Sequence, residues 1–137
     1  MIALDTSALI AIIKNEPTGR ACATVLAIPN RRLLLSAGTL LELKIVALQK
    51  KCSDQLSQLI ASLNFEIVDL TQARAEHAAA ANQRFGKGFH PAALNFGDCF
   101  SYATAQEFDC PLLYVGDDFA RADVRSALDV PRQNESL

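Results

Sequence analysis

"MIALDTSALI", Met1 to Ile10, sets the frame in which the rest of the chain is read. Ile2 to Leu4 is a short apolar run that suits a buried strand. Asp5, Thr6 and Ser7 can each cap a helix, and Ala8 to Ile13 reads as that helix. Strand, cap and helix in succession open an α/β unit. Asn15-Glu16-Pro17 breaks the helix, and a second runs from Thr18 to Ile28 before Pro29-Asn30. Leu33 to Leu35 suits a second strand. Leu40 to Lys50 and Ser53 to Leu63 repeat their apolar residues at helical spacing. Glu66 to Leu70 reads as a third strand, Thr71 caps an alanine-rich helix through Gln83, and Pro91 sits at or before the first turn of the next helix. Leu112 to Val115 is the fourth strand, closed by Gly116, with a short helix expected after Asp118. This order predicts a three-layer α/β/α sandwich around a mostly parallel sheet of four to five strands.

A chain of 137 residues fits one domain, here 1–130, with a polar tail over 131–137. Half of the residues are hydrophobic, which argues against disorder, and the net charge of −2 gives no broad electropositive surface for nucleic acid. The four cysteines, at 22, 52, 99 and 110, form no CxxC and match no zinc spacing, so they read as small apolar residues in a reducing compartment. No basic leader with an apolar core opens the chain, and no apolar stretch is long enough to span a membrane. The expectation is a soluble cytoplasmic protein without membrane contact.

A second stretch, "LNFGDCFSYATA" (Leu94 to Ala105), places Asp98 among apolar neighbours, where an unpaired carboxylate is costly. In parallel sheets ligands collect at the carboxyl ends of strands. Asp5 lies at such an end, and Asp117 and Asp118 lie at another. Glu42, placed in the first turn or so of its helix, and Asp98, near the start of its own, can join them. Carboxylates converging on one rim repel, and a hard cation, Mg²⁺ or Mn²⁺, resolves the repulsion using oxygen donors alone. Such a cation can activate water against a phosphodiester. The competing readings are ordinary: Asp5 as a cap only, Glu42 as an exposed helical residue, Asp117 and Asp118 as a turn. Thr6 and Ser7 beside Asp5, and Ser101 and Tyr102 on the helical face of Asp98, are candidate supporting hydroxyls, with Asn95 placed to orient the turn.

Holding a phosphate backbone needs basic residues. "RFGKGFHP" offers Arg84, Lys87 and His90, with Phe85 and Phe89 as possible stacking rings. Arg121 and Arg125, expected on the last short helix, are further candidates. Solvated loop charges and core phenylalanines are the competing reading.

Three segments, "IALDTSALIAIIKNEP", "RFGKGFHPAALNFGDCFSYATA" and "PLLYVGDDFARADV", occur here in one order and at one separation. In these the chain resembles the PIN-domain family, in particular its VapC-type toxin ribonucleases of type II toxin–antitoxin pairs, over nearly its whole length. The resemblance implies an acidic metal site with Asp5, Glu42 and Asp98, of which Asp5 and Asp98 bind the metal. A further acid lies in "GDDF". Relatives often carry Asn where Asp117 stands, which favours Asp118, with Asp123 as another contributor. It also implies RNA as substrate, Mg²⁺ (or Mn²⁺) as cofactor, a homodimer, and an antitoxin partner. The leucine-rich segments Leu40 to Ala47 and Leu56 to Leu63 are candidate partner surfaces. The expected activity is a metal-dependent endoribonuclease cutting single-stranded or loop RNA. The alternatives are a PIN-like module that binds RNA or protein without turnover, and a phosphatase, against which Ser7 stands where a second aspartate is needed.

Overall fold

The computed structural model describes residues 1–129; the predicted tail 131–137 lies outside them. The elements run β1 (Ile2–Leu4), α1 (Thr6–Ile13), α2 (Gly19–Leu26), β2 (Leu33–Ser36), α3 (Ala37–Gln49), α4 (Ser53–Ser62), β3 (Phe65–Val68), α5 (Gln72–Phe85), α6 (Phe96–Glu107) and β4 (Leu112–Leu113). The strands form one parallel sheet in the order β3-β2-β1-β4. Helices cover both faces, as the sequence predicts for an α/β/α sandwich.

The two-residue period of a strand decides which face each side chain serves. Ile2, Leu4, Leu33, Leu35 and Leu113 pack with α1, α2, α3 and α4. Ala3, Leu34, Val68 and Leu112 pack with α5 and α6. Leucines alone cannot distinguish strand from helix, but burial on both faces explains why these runs carry no polar alternation. All four cysteines are buried and free.

Several boundaries differ from the sequence reading. The third strand starts at Phe65 and ends at Val68, because Asp69 and Leu70 turn the chain toward α5. The third helix begins at Ala37, where Ser36 accepts the Gly38 N–H at 3.2 Å, so Glu42 falls in its second turn. Pro91 lies in a loop before α6, whose cap is Asn95. The residues after Asp118 form turns, not a helix, closed by Ala120 N–H to Asp117 C=O at 3.1 Å and Ala122 N–H to Phe119 C=O at 3.1 Å. Among the described residues, no helix is long and apolar enough to cross a membrane.

Candidate active site

β1 lies between β2 and β4, so the strand order reverses beside β1, and the carboxyl ends of β1 and β4 form the switch point where ligands of parallel sheets collect. Asp5 follows β1 directly and caps α1. Its Oδ2 accepts the Ser7 N–H at 3.0 Å and the Ser7 hydroxyl at 2.6 Å. Its Oδ1 accepts the Ser101 hydroxyl of α6 at 2.6 Å. Ser7 Oγ in turn accepts the Val115 N–H at 3.0 Å, tying the exit of β4 to the start of α1. Asp5 is thus held from α1 and α6 at once and is 4% exposed.

Asp98 is 6% exposed. It forms a reciprocal capping box with Asn95: its Oδ2 accepts the Asn95 N–H at 3.0 Å, and Asn95 Oδ1 accepts the Asp98 N–H at 2.9 Å. Burial pushes its carboxyl from the ordinary 3.8 up to about 7. The Asn95 N–H opposes that rise, while the charges of Asp5, Asp118 and Glu42 add to it. Glu42 accepts the Thr6 hydroxyl at 2.6 Å. Its carboxylate lies over Gly97, where an added Cβ would displace it. Gly116 takes φ +95 after β4, a backbone glycine allows cheaply, and the chain there turns into exposed Asp117 and Asp118. Of that adjacent pair, it is Asp118 whose charge acts on Asp98.

Among the described residues, no lysine, arginine or histidine pairs with Asp5, Glu42, Asp98 or Asp118, while Glu66, Glu107, Asp123 and Asp109 each meet an arginine. The donor set is all oxygen, which suits a hard divalent cation. The carboxylates are not gathered around one point, however: among the described residues, no three His, Cys, Asp or Glu side chains stand close enough to hold an ion.

Other candidates lie elsewhere. The Tyr102 hydroxyl donates to Asp123 and not to a carboxylate of the rim. Asp123 also takes Arg84 at 3.2 Å, and Arg84 lies over the Phe85 ring at 4.8 Å. Phe85 is core, not an open stacking ring. His90 Nδ1 accepts the Ala92 N–H at 2.9 Å, and its ring meets Phe85 edge-on at 5.0 Å. Arg125 reaches Asp109 at 3.5 Å. Lys87, Phe89 and Arg121 are exposed. The sequence reading missed Phe96, 80% exposed at the first position of α6 and edge-on to Phe100 at 5.0 Å. Apolar spacing gave no hint of it, because Phe96 and Phe100 share a helical face and only Phe100 finds cover against α3 at Gly38.

A parallel sandwich with carboxylates at its switch point defines a class of acidic-site α/β proteins, and comparison narrows the class. The PIN domain model matches residues 2–125, and the chain belongs to the PIN domain family. It is 43% identical to Ribonuclease VapC28 of Mycobacterium tuberculosis over 130 residues, covering 92% of this chain and 97% of that protein. It is 41% identical to Ribonuclease VapC36 of the same organism over 126 residues, covering 88% and 89%. Among solved structures, Mycobacterium tuberculosis VapC20, described as a sarcin–ricin loop cleaving toxin, aligns with TM-score 0.70 at 15% identity over 90% of this chain and 96% of that one. A VapBC2 structure from Rickettsia felis, bound to a DNA fragment from its promoter, aligns with TM-score 0.64 at 22% identity, covering 92% and 96%. At those identities the structures speak for the fold alone.

Proposed function

We propose that the chain is a divalent-metal-dependent endoribonuclease, the toxin half of a toxin–antitoxin pair, hydrolysing phosphodiester bonds in single-stranded or loop RNA. The observation that carries this is Asp98, a buried carboxylate on which the charges of Asp5, Asp118 and Glu42 act, with no lysine, arginine or histidine paired to any of the four among the described residues. Relatives named ribonucleases, matched over most of both chains, support it. Asp5 and Asp98 would hold Mg²⁺ or Mn²⁺, with Glu42 and Asp118 as further donors. Bound there, the ion would lower the pKa of water and offset charge on the phosphate. The chain's own residues prepare the donors: Ser7 and Ser101 orient Asp5, Asn95 orients Asp98, and Thr6 orients Glu42. Holding an ion requires the carboxylates to draw closer than they stand. Asp118, on a segment of turns, is the donor least fixed by secondary structure. Lys87 and Arg121, both exposed, would meet the phosphate backbone, and Phe89, 69% exposed, would stack on an unpaired base.

The test is to incubate the purified chain, freed of any partner, with structured and unstructured RNAs in Mg²⁺, Mn²⁺ or EDTA. Discrete cuts lost in EDTA and in Asp98→Asn are expected. A folded Asp98→Asn protein that cuts as fast as the parent overturns the site. The spacing of the carboxylates favours a second reading, a PIN-like module that binds without turnover. RNA binding that survives Asp98→Asn, with no cuts in any metal, would establish that reading instead.

We further propose a second copy of the chain on α3. Leu41, Ile45 and Leu48 share one helical face and are exposed, Leu48 at 69%. The α4 leucines expected beside them turn inward: Leu56 is buried, and Leu59, Ile60 and Leu63 pack on the core. Leu41→Glu with Leu48→Glu should give a folded monomer by sedimentation where the parent is a dimer; a parent that sediments as a monomer removes the dimer. The antitoxin, on this reading, covers the acidic rim.

A further inference from the structure

Phe96 is the most exposed large apolar side chain among the described residues, at 80%. It holds the first position of α6, between Asn95 and Gly97. Both neighbours touch the acidic rim. The Asn95 N–H donates to Asp98 Oδ2 at 3.0 Å, and a Cβ built on Gly97 would fall 1.7 Å from Glu42 Oε2. The ring is therefore rooted within one residue of contacts to two rim carboxylates.

Packing leaves the ring largely free. Its aromatic partner among the described residues is Phe100, with centroids 5.0 Å apart and planes at 86°. Phe100 turns toward α3, where its ring would meet a Cβ on Gly38 at 2.6 Å. A perpendicular neighbour covers at most one face of a ring, so at least one face of Phe96 lies open. The residues around it in the chain do not extend it into an apolar patch: Leu94, Gly97, Asp98 and Cys99 are buried, and Asn95 is polar. A lone aromatic ring supplies about 150–250 Å² of contact, well short of the roughly 800 Å² per partner in a stable protein interface. It suits one flat ligand.

Charge decides which flat ligand. Among the described residues no lysine, arginine or histidine pairs with Asp5, Glu42 or Asp98, and the chain carries a net charge of −2. A strand lying along this rim gains little through its phosphates there, so a hold on it beside the rim has to be uncharged. A nucleobase presents a π face, and stacking asks for no charge on either partner. Bases are free to stack on a protein where the strand is unpaired. We propose that Phe96 binds RNA by stacking on one unpaired base beside the acidic rim; this rests on the RNA-cleaving reading above. The stack is a foothold that works without any metal ion.

The experiment measures binding of a short labelled single-stranded RNA of mixed sequence by fluorescence anisotropy, in EDTA so that nothing is cut. The same strand made abasic is the control. The proteins are the parent, Phe96→Ala, Phe96→Tyr and Phe96→Trp; an exposed ring takes no core with it, so all four should fold. Phe96→Ala should weaken binding about tenfold, by the same factor at low and high salt, since stacking is not ionic. Phe96→Tyr should bind like the parent. The chain has no tryptophan, so Phe96→Trp carries a single indole, whose emission the RNA should quench. On the abasic strand the parent and Phe96→Ala should bind alike. A Phe96→Ala protein that binds the intact strand as tightly as the parent overturns the stack alone, as does a loss that persists on the abasic strand or in Phe96→Tyr. A Phe96→Ala protein that sediments as a monomer where the parent is a dimer assigns the ring to a second copy and also overturns it. A parent that binds no RNA, and cuts none in Mg²⁺ or Mn²⁺, overturns the stack together with the reading it rests on.

Discussion

Asp98 and Asp123 are both held against α6, one at its first turn and one through Tyr102 in its second, yet their surroundings are opposite. Asp123 meets a phenol and a guanidinium. Asp98 meets one backbone N–H and the charges of three carboxylates. Glu66, Glu107 and Asp109 on the outer surface each have an arginine as well. A stable fold gains nothing from leaving its most buried acids unpaired. The difference teaches that, among the described residues, the buried rim acids lack the arginine partners that Asp123 and several surface acids have.

The largest effect should come from breaking the Asp98 environment with pH. Between 3.8 and about 7 the folded chain holds a proton on Asp98 that the unfolded chain has released. Stability should therefore fall as pH rises through that window and level off above it. The loss is up to about 4 kcal/mol for a shift of this size. Thermal melts in EDTA at pH 5 and pH 8 measure it. Asp98→Asn should flatten the difference; a slope that persists in Asp98→Asn would assign it to another group.

Ser101→Ala sharpens the comparison at Asp5. It leaves the buried Oδ1 without its donor and removes the 3.3 Å contact with Thr39. Denaturant unfolding should show a loss of about 1–3 kcal/mol. At the small end is Arg32→Gln, which breaks the solvent-facing pair with Glu66. Its melting temperature should match that of the parent, because an exposed pair is screened and entropically costly. A clear drop there would mean that paired surface carboxylates matter to the fold as much as the rim does.

Much of this arrangement was readable in the chain. Apolar runs followed by capping residues placed Asp5 at a strand end, and an aspartate among Phe96, Cys99 and Phe100 marked Asp98 as costly. Position along a helix was readable too, which is why Ser101 could be put on the face of Asp98. What a side chain reaches across the fold was not. Tyr102 shares that face, but whether its hydroxyl meets a rim carboxylate or Asp123 depends on where the segment after β4 returns. The choice between Asp117 and Asp118 depends on one turn after Gly116. Glu42 moved to a second turn because Ser36, inside an apolar run, ends a strand and caps a helix at once. The outward stripe of α3 was masked by leucines at neighbouring positions, half of which are core.

One feature of Asp98 bears on how such a site comes to exist. Its Oδ2 accepts the Asn95 N–H, which restrains the rotation of the carboxylate. The rotational freedom that a surface aspartate surrenders on meeting a ligand has here been surrendered already, during folding. The first turn of α6 thus sets the aim of this carboxylate as the helix nucleates, and on the nuclease reading an ion bound there would meet a group with less rotational entropy left to lose.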